Sequence, residues 1–158
     1  MRFTHLLSAV LALAVVTPAL SAQAAPGKVL VNVDQRGLAL EGYDPVAFFT
    51  DGKAVRGQAG LTATYQGAEY RFASAGHRDL FAADPAKYAP QFGGFCAYGV
   101  AHDHAVSVEI DTWQILDGRL ILNYDQSVRK KFDADRAGNL RKADANWPGI
   151  VEKEGKGQ

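Results

Sequence analysis

The 158-residue chain has a single cysteine, Cys96, and therefore no intramolecular disulfide. One thiolate also excludes a zinc ribbon or an iron–sulfur cluster assembled from several cysteines of one chain. Neither sign of charge is in excess, with 17 Lys and Arg against 17 Asp and Glu. That balance argues against a basic nucleic-acid-binding surface, an acidic tail and a polybasic membrane anchor. Familiar hydrolase motifs are missing too. No glycine-rich loop runs into Lys-Ser or Lys-Thr, and neither Gly-x-Ser-x-Gly nor His-Glu-x-x-His occurs. Nucleotide hydrolysis, serine esterase action and zincin proteolysis are left without support. No internal repeat or linker divides the chain, and 47% apolar with 22% charged residues is the composition of one globular domain.

The N-terminus reads as an address. Arg2 precedes an apolar run from Leu6 to Leu20, and Ala22-Gln23-Ala24 forms a small-x-small cleavage site. This predicts a secretory signal peptide over residues 1–24, cleaved after Ala24, and a periplasmic or secreted protein. The run is shorter than the ~20 residues a membrane span needs, so no stable membrane anchor is expected after cleavage. Residues 25–37 form a lead-in, and the charged, glycine-containing stretch 151–158 is expected to be a flexible tail.

Between these ends the pattern mixes hairpins and helices. Leu61–Tyr65 and Glu69–Phe72 flank Gln66-Gly67-Ala68, a hairpin with Tyr70 and Phe72 on one face. Ser74 is placed to cap a helix running to about Ala83, with Leu80 and Phe81 directed inward. Asp84-Pro85 then supplies a cap and a first helical residue. Asp117-Gly118 between Trp113–Leu116 and Arg119–Leu122 predicts a type I′ hairpin. Ser127 to Asn146 has helical spacing, with Pro148 expected to stop it.

Few side chains are candidates for chemistry. Cys96 and His77 form the sharpest pair, because a thiolate is both a soft metal ligand and a nucleophile and a nearby imidazole tunes it. The alternative is a buried, inert cysteine and a core histidine. His102 and His104 flank Asp103. On an extended segment both imidazoles would share a side and could ligate copper or zinc, whereas on a surface loop they would be solvated.

Gly42-Tyr43-Asp44-Pro45-Val46-Ala47, Tyr70–His77, Phe81 and Asp84–Tyr88 together resemble the YHS domain family, a relative of the TRASH metal-binding domains. Tyr88–Ala97 and the Trp113–Asn123 hairpin extend the similarity to an exported bacterial group known as YHS domain-containing (seleno)proteins. The resemblance covers residues 36–150 roughly. It implies an α+β fold, a small single domain of β-hairpins packed with short helices and a C-terminal helix, here a YHS-like domain over residues 38–150. Metal-binding relatives carry cysteines at the positions held here by Ala47, Ala73 and His77. The selenoprotein members imply chemical use of the position corresponding to Cys96.

The resulting expectation is an exported YHS-like domain, metal-binding or thiol-redox-linked through Cys96 and His77. Cys96 would be the redox thiol, working with an external thiol because the chain has no second one. Cys96, His77, His102 and His104 would be the metal ligands, with copper or zinc as the ion. The alternative is a non-catalytic domain that binds a small ligand or a protein, with Cys96 buried and inert. No nucleic-acid partner is expected. Whether the domain is an enzyme is left open at this point.

Overall fold

The computed structural model describes residues 27–157. The expected signal peptide and the first two residues of the lead-in lie outside them. The fold is α+β, as expected. Its strands are β1 (Lys28–Val29), β2 (Gln58–Tyr65), β3 (Ala68–Phe72), β4 (Glu109–Leu116), β5 (Arg119–Asn123) and β6 (Lys156–Gly157). Its helices are α1 (Ala47–Thr50), α2 (Ala75–Ala83), α3 (Pro85–Tyr88), α4 (Ala97–Val100), α5 (Gln126–Ala134) and α6 (Arg136–Glu154). The strands form three antiparallel pairs, β1–β6, β2–β3 and β4–β5.

Both expected hairpins form, but the first turns on two residues where three were expected, because Ala68 already pairs with Tyr65. Gln66-Gly67 and Asp117-Gly118 all adopt positive φ, at +50° and +74° and at +50° and +73°. A two-residue type I′ turn requires this at both central positions. Strand β5 then joins two cores. Its side chains alternate, so Leu120 and Leu122 pack with Tyr70, Phe72 and Phe81, while Ile121 packs with Phe132, Val100 and Ile150. A strand buried on both faces explains the uninterrupted apolar run Leu120-Ile121-Leu122.

The first core is aromatic. The Phe81 ring packs at a tilt, with its centroid 4.9 Å from that of Tyr70 and 5.2 Å from that of Phe72, and is itself buried. Its helix, α2, is capped as expected, with Ser74 Oγ accepting the His77 N–H at 3.1 Å. Asp84 caps α3 in the same way, with Pro85 as its first residue. Leu80, expected inward, instead faces solvent with 45% exposure. A nine-residue helix presents one narrow face to the hairpin, and Phe81 occupies it.

The C-terminal region departs from expectation. The helical stretch is broken at Asp135, whose φ of −142° ends α5 and whose Oδ1 caps α6 by accepting the Gly138 N–H at 3.0 Å. A Cβ at Gly138 would meet that carboxylate as it stands, so a larger residue there would have to shift the Asp135 side chain. Pro148 does not stop α6, which runs on to Glu154. An interior proline costs ~3 kcal/mol, but stopping would leave Ile150, buried at 1% exposure, outside the second core. Burying such a side chain contributes ~1.5–3 kcal/mol, and the continuation also carries Lys156–Gly157 to its pairing with Lys28–Val29. That pairing ties the lead-in to the C-terminal end. Among the described residues no helix is long and apolar enough to cross a membrane.

Candidate functional site

Cys96 sits at the start of α4, within the Tyr88–Ala97 segment of the resemblance. It is 1% exposed. Its Sγ accepts the Gly99 N–H at 3.3 Å, and its S–H points to Asn123 Oδ1 at 3.7 Å. The same oxygen accepts the Tyr98 N–H at 3.2 Å. Burial pushes the thiol pKa up, and the backbone N–H groups of Gly99, Tyr124 and Tyr98 oppose this only in part. The result is a protonated thiol that caps a helical turn and anchors it to the end of β5.

His77 lies elsewhere, on the first turn of α2. Its Nδ1 is 2.6 Å from Asp44 Oδ2. An ionised carboxylate can only accept, so Nδ1 carries the proton of this bond. Its Nε2 lies 3.3 Å from Thr50 Oγ1 and 3.7 Å from Asp51 Oδ1, near the surface. No hydrogen bond joins His77 and Cys96, and their side chains have separate partners.

His102 and His104 are exposed. Asp103 between them has φ +63°, so the segment turns and is not the extended stretch that would align the two rings. His102 Nδ1 bonds the Tyr98 carbonyl at 2.7 Å, and its ring lies 4.3 Å from the Tyr98 ring. Among the described residues, no group of three or more His, Cys, Asp or Glu side chains is placed to hold a metal ion. The ligand set expected from Cys96, His77, His102 and His104 is therefore not assembled. The thiolate centre implied by the resemblance does not fit either, because Ala47 and Ala73 supply no ligating side chain and only the His77 imidazole remains.

The concave feature that sequence reasoning missed is a cleft of about 310 Å³. Its walls include Leu30, Tyr65, Gln66, Gln91, Phe92 and Trp147. Strand β1, the β2–β3 turn, the Gln91–Gly94 turn and α6 thus converge there. A second hollow of about 400 Å³ shares Val29, Leu30 and Gln66 with it. The bottom of the first is shaped by unusual backbone. Phe92 and Gly93 adopt φ of +53° and +58°, and the Asn32 N–H bonds the Gly93 carbonyl at 2.9 Å. Arg119 Nε donates to Gln91 Oε1 at 3.1 Å while its guanidinium pairs with Asp144, which fixes the amide at the cleft wall. The sequence signal was present in Gln91-Phe92-Gly93-Gly94 and Trp147, but the 52 residues between Gly94 and Trp147 concealed their meeting.

No curated protein and no solved structure matches the chain. A family model, YHS domain, matches residues 46–92. The matched segment runs from the residue before α1 to the floor of the cleft, and it contains His77 but not Cys96. Over residues 46–92, and no further, the chain is similar to the YHS domain family.

Proposed function

We propose that this is a non-catalytic YHS-type domain that binds a small neutral molecule in the cleft bounded by Trp147, and that it works outside the cytoplasm after cleavage behind Ala24. The observation that carries the reading is the division of labour among side chains. Cys96 and His77 are engaged in internal hydrogen bonds, whereas a cleft of about 310 Å³ is lined by the Trp147 indole together with the amides of Gln66 and Gln91 and the Tyr65 phenol. That volume is at the lower end of ligand sites, which run to ~300–1,000 Å³ and pair apolar walls with a few polar groups.

The chemistry of the lining sets the class. Gln66, Gln91 and Tyr65 are neutral groups, and amides and hydroxyls both donate and accept. The one cation in the lining, Lys28, is already paired with Glu152 at 2.9 Å. A ligand with a flat apolar face and a neutral hydrogen-bonding edge matches this environment better than an ion. The thiol-redox reading has less support, because a buried protonated thiol meets oxidants slowly.

The test uses the mature chain and a panel of neutral ring compounds, benzamide and phenols among them. Trp147 fluorescence and amide chemical shifts around residues 28–30, 65–66 and 91–93 are the readouts. Binding that perturbs these residues and is lost in Trp147→Ala supports the reading. A panel that leaves the cleft unperturbed, or Zn²⁺ or Cu²⁺ binding tighter than ~10 µM that depends on Cys96, overturns it. Mass measurement of the exported form checks the cleavage site.

A further inference from the structure

We infer that the Asp44–His77 pair is a metal-independent cross-link, standing in this chain where thiolate-bearing YHS domains place a metal. Asp44 is fully buried. Its Oδ1 accepts the N–H groups of Val46 at 2.9 Å and Ala47 at 3.3 Å. Its Oδ2 accepts the Ala73 N–H at 2.8 Å and His77 Nδ1 at 2.6 Å. One carboxylate thus fastens three segments: the turn into α1, the residue after β3 and the first turn of α2. The long-range partners are 29 and 33 residues away in sequence.

Three of its four partners are Ala47, Ala73 and His77, the positions at which the resemblance described above implies cysteines in metal-binding members. The donor chemistry is therefore inverted. A metal centre gathers anionic ligands around a cation, whereas here a buried anion gathers donors from the same positions. A carboxylate offers about four acceptor sites, and four donors fill them. A cation could gain Asp44 only by displacing one of these donors. Two of the three corresponding side chains are methyl groups, so the exchange would return little.

The inference is independent of the cleft and concerns what holds the N-terminal half together. The test compares thermal unfolding of the mature wild-type chain in EDTA and with one equivalent of Zn²⁺ or Cu²⁺, alongside its metal content after purification. The expected result is substoichiometric metal and the same Tm in all three conditions. Asp44→Ala should lower Tm by about 10 °C. His77→Ala should also lower it, with partial rescue in His77→Gln, which restores an N–H donor. A Tm that falls in EDTA and recovers with metal overturns the inference, as does one metal ion per chain or an unchanged Tm in both Asp44→Ala and His77→Ala. If Asp44→Ala fails to fold, the chelation comparison and the His77 pair still decide the matter.

Discussion

Alkylation of Cys96 tests the reading of that residue most directly. Reaching the sulfur requires α4 to lift from β5 and α6, because Ala97 and Val100 on the same turn have no exposed surface. Exposing Val100 costs ~2 kcal/mol and Ala97 somewhat less, at ~0.8 kcal/mol per buried CH₂. Breaking the Gly99 N–H to Sγ and Tyr98 N–H to Asn123 bonds adds ~1 kcal/mol each. The opening therefore costs about 4–5 kcal/mol, and at 1.4 kcal/mol per factor of ten the thiol is reached ~1,000-fold less often than in an unfolded chain. The raised pKa lowers the thiolate fraction further. Iodoacetamide labelling at pH 8, followed by mass spectrometry with and without denaturing urea, should show native labelling at least ~1,000-fold slower. The pH dependence has a definite sign. An unfolded thiol loses its proton first, so the contribution of Cys96 to stability is present below its ordinary value of 9 and is lost as pH rises through the higher folded value. Native labelling within tenfold of the unfolded rate would refute this account and return Cys96 to the reactive class.

Phe81→Ala should destabilise by ~3–5 kcal/mol in urea unfolding, whereas Leu80→Ala, at an exposed site, should change stability by less than ~0.5 kcal/mol; equal effects would contradict the packing of α2. Gly93→Ala should cost ~1–3 kcal/mol and distort the cleft, because a Cβ there would land on the Leu30 carbonyl; a variant as stable as the wild type by the same measurement would count against that close approach. Burial pushes the Asp133 pKa up, but the Gln114 amide and the Arg136 and Arg129 guanidinium groups outweigh it, and the value is lowered. Asp133 therefore stabilises the fold above its ordinary value of 3.8 and loses that contribution as pH falls through the folded value. Asp133→Asn should accordingly flatten the acid limb of the stability profile.

Local chemistry was legible in the sequence. Ser74, Asp84-Pro85 and Asp117-Gly118 act through neighbours within three residues, and each forms the cap or turn its residue type suggests. Failures came where distant packing outweighs local preference. Pro148 is carried inside α6 by the burial of Ile150. Leu80 loses the inward face of α2 to Phe81, a choice that depends on where Tyr70 and Phe72 stand. In the sequence Asp44 stands out only as one member of the Gly42–Ala47 motif. Its role depends on Ala73 and His77, about thirty residues on, and no spacing rule announces that meeting. His77 and Cys96 drew attention by residue type and by the resemblance, and their structural partners are a carboxylate and an amide.

The same residue types were consumed by a demand that this architecture makes acute. Two-stranded sheets and short helices leave many backbone N–H groups without a regular partner, since each helix start exposes four. Here those groups are met by side chains with strong acceptors. Ser74, Asp84, Asp125 and Asp135 each accept an N–H three residues ahead, at distances of 2.7–3.3 Å. Cys96 does the same with sulfur, and Asp44 does so for Val46 and Ala47 while also reaching Ala73. Each cap contributes ~1 kcal/mol, so the set is comparable with the whole stability of a small domain. A thiol, a carboxylate and an imidazole in such a fold are therefore explained first by the backbone they satisfy. On the function proposed above, recognition would fall to groups the backbone does not need, which in the cleft are the indole of Trp147 and the side chains of Gln66 and Tyr65.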